Sequence, residues 1–222
     1  MADILGKIEV LDQGWIELVD AMGDDQSIVE AARVSYLGES KGVEQDERLI
    51  RYLLKNGHTS PFEMVEFKFR VKAPIFVARQ WMRHRVWSYN EVSRRYTDED
   101  ITFMVPEILR GQANDNKQMS AGELTNSDSL IPYIKRTYEA CNRVYEMLIG
   151  EGVAREQARM VLPVGMYTMF YAKTDLHNLL HFIKLRSHPH AQEEIRVYSD
   201  AMLELISKVV PKTVEIWKEL KK

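Results

Sequence analysis

Val65-Glu66-Phe67-Lys68-Phe69-Arg70-Val71, preceded by Glu63 and followed by Ala73-Pro74, is the stretch on which the fold turns. Its apolar side chains fall at every second position, with Glu66, Lys68 and Arg70 between them. Period two in β-branched and aromatic residues puts one face in a core and the other in water, so Glu63 to Val71 is expected to be a half-buried strand. Pro74, with its preset φ, then suits the first position of a helix expected to run to about Arg85.

Working outward, Lys7 to Leu11 reads as a short strand, and Asp24 to Tyr36 as a capped helix with Ile28, Ala31, Ala32 and Ser35 at helical spacing. Gly38 to Gln45 is a polar connection, after which Asp46 is expected to cap a helix presenting Leu49, Ile50, Leu53 and Leu54 and stopped by Asn56-Gly57. Downstream, Ile101 to Val105 suggests a strand and Gly111 to Ser129 a long polar surface loop. Ile134, Tyr138, Cys141, Tyr145 and Leu148 line one face of a helix ended by Gly150 and Gly152. Arg155 to Leu162 reads as a shorter helix and Val164 to Tyr171 as a strand. Thr174 or Asp175 caps a helix to about Arg186, and a longer helix follows Pro189 toward Pro211, with a polar tail beyond. Strands that do not alternate regularly with helices indicate an α+β fold, and with no repeat or composition break residues 1–222 are expected to form a single domain.

Composition limits the function. The 222 residues are 45% hydrophobic and 28% charged, with a formal net charge of -3. Such a chain is globular, and it lacks the positive excess that holds nucleic acid by counterion release, so any basic site must be local. Met1 to Val10 lacks the apolar run of a secretory signal, and no stretch approaches the roughly 18 residues of a spanning helix, so a cytoplasmic protein with no membrane partner is expected. The single cysteine, Cys141, forbids an intramolecular disulfide and a cysteine-based metal cluster.

The local basic site is Arg79 to Tyr96, which holds five arginines, no lysine and one acid. Guanidinium presents a fixed fork of donors suited to phosphate or carboxylate. On a helix, Gln80, Arg83 and His84 share a face while Arg85 points elsewhere. The plainer alternative is a cationic helix end followed by a solvated loop; Trp81, Trp87, Tyr89 and Tyr96 interleaved in the same run weigh against it.

Four of the six histidines fall between Asp175 and His190. His177 and His181 have the spacing at which two imidazoles on one helix face can share a metal, which leaves a metal-dependent hydrolase open. Against it, Asn178 stands where a zinc peptidase needs its glutamate, and no third ligand is fixed by spacing. A non-catalytic nucleotide-binding module built on the arginines is a second alternative.

Arg83-His84-Arg85-Val86-Trp87-Ser88-Tyr89-Asn90-Glu91-Val92-Ser93-Arg94-Arg95-Tyr96 resembles the signature of flavin-dependent thymidylate synthases, R-H-R-x-x-S-x-N-E-x-S-x-R-Y, at every fixed position. The resemblance extends to Gly57-His58-Thr59-Ser60-Pro61-Phe62-Glu63, to Ala73 through Trp81 and to Asp175 through Gln192, covering nearly the whole chain, with Gly111 to Ser129 the least familiar part.

The resemblance implies reductive methylation of dUMP to dTMP, with 5,10-methylenetetrahydrofolate as one-carbon donor and FAD, reduced by NADPH, as hydride source. It implies a largely antiparallel central sheet flanked by helices, assembled as a homotetramer with active sites between subunits. Matched residue by residue, it puts Arg83, His84, Arg85, Glu91, Asp175, Leu176, His177 and His181 against FAD, with Ser60 joining from another subunit. It puts Gln80, Trp81, Met82, Arg83, Glu91, Val92, Ser93, Arg94, Arg95, Arg159 and Arg186 against dUMP. Arg186 is the catalytic candidate, because a guanidinium at the uracil edge stabilises the negative charge that develops as the ring attacks the one-carbon unit. The histidine pair becomes a flavin contact and no metal is implied. Cys141, on an apolar stripe, is a poor nucleophile, which fits flavin chemistry rather than a thiol adduct.

Overall fold

The alternating stretch forms β3, Glu66–Pro74, whose Phe67, Phe69, Val71 and Ala73 have no exposed surface. The computed structural model describes residues 5–38, 42–114, 116–117 and 119–221. Residues 1–4 of the amino terminus, 39–41 of the first polar connection, 115 and 118 of the long polar segment, and 222 lie outside them. In chain order the strands are β1 (Gly6–Val10), β2 (Gly14–Met22), β3, β4 (Ser88–Glu91), β5 (Arg110–Gln112), β6 (Ser120–Glu123) and β7 (Tyr167–Asp175). The helices are α1 (Asp25–Arg33), α2 (Val43–Asn56), α3 (Ile75–Trp81), α4 (Ser127–Gly150), α5 (Arg155–Ala158), α6 (Leu176–Arg186), α7 (Glu193–Ile206) and α8 (Pro211–Leu220).

Five strands pair antiparallel in the order β1-β2-β3-β7-β4, and β5 and β6 form a separate hairpin. The fold is therefore α+β with an antiparallel sheet. α7 lies on β1 and β2, α3 on β3 and β7, and α6 on α7, so the apolar face of the sheet is closed by helices. Trp81, fully buried, is the hub, with ring centroids 5.0 Å from Phe182, 5.4 Å from Phe170 and 5.9 Å from Tyr198.

Several expectations shift. The helix after Pro74 stops at Trp81, not Arg85, because β4 pairs with β7 and draws the chain away, while the Tyr89 hydroxyl takes up the Trp81 and His84 carbonyls. Arg83 and His84 therefore share a turn with Arg85, not a helix face with Gln80. Asp46 lies inside the first turn of α2 rather than capping it, and is buried against Arg33 of α1 in an ion pair. Ile101–Val105 contributes only the bridge Phe103↔Met166. The segment expected as one loop from Gly111 to Ser129 holds most of the β5–β6 hairpin and the start of α4, and the tail after Pro211 is the amphipathic α8.

One strand was not expected, and two elements differ at their limits. β2 escaped the sequence reading because Glu17, at its centre, is buried: its carboxylate accepts from Arg70 at 2.8 Å, and a bulge between Leu18 and Asp20 breaks the alternation. The helix at Arg155 ends at Ala158 and tightens into a 3₁₀ turn at Arg159–Val161, and the strand expected at Val164 begins at Tyr167.

Candidate active site

α3 delivers the arginine segment to the end of α6. Tyr89 sits on β4 with its hydroxyl 3.2 Å from the Trp81 carbonyl and 3.1 Å from the His84 carbonyl, so it caps the helix end and fixes the turn at Arg83-His84-Arg85. Burial pushes the Tyr89 hydroxyl well above the usual range, so it stays protonated as the donor this cap requires.

At that turn, Arg186 Nε donates to His84 Nε2 at 3.0 Å and Arg186 Nη2 donates to the Gln80 carbonyl at 3.1 Å. His84 must be neutral to accept. Burial, and then the charges of Arg186 and His181, bring its pKa down to about 4, so at neutral pH the acceptor is present. Burial, and then nearby Arg83, also lower the Arg186 pKa, the signature of a cation partly withdrawn from water. Its Nη1 has no hydrogen-bond partner among the described residues, which leaves one edge of the guanidinium for a ligand. The Gln80 side chain is tied to Gln192, the residue at the amino-terminal cap of α7.

His181, whose ring lies 6.2 Å from that of His84, leads into a cavity of about 260 Å³. His177, His181 and Leu180 of α6 form one wall, Gly57-His58-Thr59 another, and Leu53, Phe62 and Trp217 supply apolar surface. Gly57 adopts φ +67, the left-handed conformation that ends α2 and turns His58 and Thr59 toward α6. Ser60 follows, exposed, at the start of a 3₁₀ turn. Asp175 is the α6 cap: its carboxylate accepts from the Asn178 amide at 2.9 Å and from Asn178 Nδ2 at 2.8 Å. Among the described residues no group of three or more His, Cys, Asp or Glu is placed to hold a metal.

Beyond β4 lies a second cluster. Glu91 accepts from Thr168 Oγ1 at 2.6 Å, and the Val92 amide donates to the Met169 carbonyl at 2.9 Å. Arg95 is exposed and faces Glu156 at 3.9 Å, while Arg155 pairs with Asp98 at 3.2 Å, so α5 docks on this loop and carries exposed Arg159 beside it. No hydrogen bond or ion pair among the described residues joins Arg95 or Arg159 to Arg186.

Three candidates are placed unlike ligand side chains. Trp81 and Leu176 are fully buried, so only their backbone could meet a ligand. Arg94 is 8% exposed and points inward, donating to the carbonyls of Glu99 and Asp100. It occupies a position that the signature leaves free, and it acts as a strut under the loop that displays Ser93 and Arg95. Residues the sequence reading left unassigned include His58, Thr59, Trp217 and Gln192. His58 and Thr59 lie within a quoted motif, whereas no spacing announces the contact of Gln192 with Gln80 across 112 positions.

Comparison with known proteins places the chain in a family. The family model described as Thymidylate synthase complementing protein matches residues 17–212. A flavin-dependent thymidylate synthase of Thermus thermophilus is 54% identical over 204 residues, 92% of this chain and 75% of the relative. One from Ehrlichia ruminantium (strain Gardel) is 48% identical over 218 residues, 96% of this chain and 73% of the relative. Among solved structures, the UMP/dUMP methylase PolB from Streptomyces cacaoi, bound with 5-Br dUMP, is similar with a TM-score of 0.87 at 36% identity, covering 96% of this chain and 97% of that one.

Proposed function

Because the chain belongs to the flavin-dependent thymidylate synthase family, we propose that it methylates dUMP to dTMP at a flavin site, with 5,10-methylenetetrahydrofolate as carbon donor and NADPH as reductant. The balance is closed: dUMP, methylenetetrahydrofolate, NADPH and a proton give dTMP, tetrahydrofolate and NADP⁺. The observation that carries the reading is the latch of Arg186 on His84 and Gln80, which leaves one guanidinium edge without a hydrogen-bond partner among the described residues, next to a histidine whose ring lies 6.2 Å from that of cavity-lining His181.

The cavity suits a flavin ring. Its lining mixes apolar Leu53, Phe62, Leu180 and Trp217 with three imidazoles and Lys184, and exposed Arg83 and Arg85 in the turn at His84 offer cations for a diphosphate. At about 260 Å³ it is smaller than the roughly 300–1,000 Å³ of a pocket for a whole drug-sized ligand. It therefore takes a ring, and the remainder of an FAD must lie outside it. His177, His181, His84 and Thr59-Ser60 would hold the ring, with Glu91 and the backbone at Asp175 and Leu176 completing the site. Bound flavin supplies the hydride that turns the transferred carbon into a methyl group.

The chain's own residues bind and polarise the nucleotide. Arg83, Ser93, Arg95 and Arg159 suit the phosphate, Gln80, Met82, Glu91 and Val92 border the nucleoside, and the free edge of Arg186 suits the uracil N3/O edge. There a fixed cation stabilises charge as it develops, with no thiol adduct needed. Cys141 is half-buried in the middle of α4, on the apolar stripe of that helix.

A homotetramer with active sites between subunits would let basic residues of several chains share one site. It also fits α4, which buries only Ser127, Ile131 and Tyr145 within its own chain and leaves Tyr133 and Met147 exposed near Met160 and Val164 in sequence. No helix of the described residues is long and apolar enough to cross a membrane.

Purified protein should show flavin absorbance and, given NADPH and methylenetetrahydrofolate, convert dUMP to dTMP. UMP belongs in the same assay, since the structurally similar PolB is a UMP/dUMP methylase. Bound zinc without flavin, or no methylated nucleotide, would remove the proposal.

A further inference from the structure

Gln80 touches both Arg186, through its carbonyl, and the amino-terminal end of α7, through its side chain. The residue it meets there is Gln192, whose side-chain oxygen accepts from Gln80 Nε2. With one N–H of its NH₂ group committed to Gln192, the orientation of the Gln80 amide is fixed, and its oxygen, with the second N–H, is left to meet a ligand.

Gln192 does not float. Its carbonyl accepts from the Ile195 and Arg196 amides at 3.2 and 3.1 Å, as the first turn of α7 requires. The next two residues, Glu193 and Glu194, both hold Arg110 of the β5–β6 hairpin, Glu193 at 3.2 Å, and Glu194 is buried. Ser187, directly after Arg186, meets fully buried Ser199 of α7 at 2.9 Å. The end of α6 is thus held to the middle of α7 by Ser187 and Ser199, and to its start by Gln80. Exposed Gln192 also lines a groove of about 580 Å³ that its own segment forms with the hairpin.

We propose that Gln192 is a positioning residue for nucleotide binding: it fixes the rotamer of Gln80, so that the Gln80 amide oxygen faces the base or sugar beside Arg186. This rests on the reading that Gln80 meets the nucleotide. Gln192 acts through Gln80 and not on the ligand, so its effect exists only while Gln80 is present. Loss of one neutral hydrogen bond corresponds to about a fivefold to tenfold change in an equilibrium constant.

The test uses the flavin-loaded enzyme and dUMP. Gln192→Met preserves length and apolar volume and removes the acceptor, and Gln80→Met removes the group it holds. The expected result is that Gln192→Met raises the dUMP KM and the dUMP Kd read from flavin absorbance about fivefold to tenfold, with kcat within about twofold and flavin content unchanged. In a Gln80→Met background the same substitution should change neither constant. An equal, additive effect of Gln192→Met in both backgrounds overturns the proposal by showing a direct or merely structural role. An unchanged KM in Gln80→Met overturns it differently, by showing that Gln80 does not meet the nucleotide at all.

Discussion

Arg186 is the residue whose chemistry is least replaceable. Two of its donors are spent on His84 and the Gln80 carbonyl, and the remaining edge is fixed in direction. Lysine keeps the charge but cannot make two holding bonds and present a planar edge together. Arg186→Lys is therefore expected to lower kcat about 10²–10³-fold while flavin stays bound, as measured by turnover and by the flavin-to-protein ratio. His84 provides a pH signature. Its pKa falls from 6.5 to about 4 on folding. Between those values the unfolded chain binds a proton that the native chain refuses, so stability is lost as pH drops from about 6.5 toward 4. His84→Gln retains an acceptor and removes the titration, so the fall in Tm between pH 7 and pH 5 should be smaller than in the parent protein. At this scale the sequence showed which residues are chemical but not which way they face. Arg94 and Arg95 are adjacent and identical in type, yet one is a buried strut and the other an exposed cation. Only the carbonyls of Glu99 and Asp100 closing on Arg94 decide that.

At the scale of elements, local rules sufficed where a local signal acts alone. β3 alternates without interruption, Asn56-Gly57 ends α2 at a positive φ, and Asp175 caps α6, which ends at Arg186 as its apolar spacing indicates. They failed where a distant partner reverses the local preference. Asp46, expected to cap α2, and Glu17, in a strand the sequence does not announce, are buried because Arg33 and Arg70 come to meet them. α3 ends early because Tyr89, eight residues later, takes its terminal carbonyl. The same partners position the site, since β3 and β7 set the height at which α3 and α6 begin. Phe69, fully buried on β3 and stacked 6.3 Å from Phe67, supports that platform. Phe69→Ala should cost about 3–5 kcal/mol in denaturant unfolding, with flavin lost as the protein unfolds rather than before.

For the molecule as a whole, the length and the net charge of -3 are those of an ordinary globular chain, and the arginine-rich segment is the local exception. The family and the α+β fold were legible because the signature lies in one unbroken run. The assembly of the site was not, because sequence carries no direct mark of where a second copy meets the first. Sedimentation of the flavin-loaded protein should give a particle of four chains, and dilution below its assembly constant should reduce activity per chain. A fully active monomer would refute shared sites. The reaction itself is tested most directly by a single turnover. Enzyme reduced with one equivalent of NADPH without oxygen should keep its flavin bleached with dUMP alone or methylenetetrahydrofolate alone, and recover the oxidised spectrum with both, forming one dTMP per flavin reoxidised. Flavin that stays reduced with both substrates present, or reoxidises without dTMP, contradicts the account.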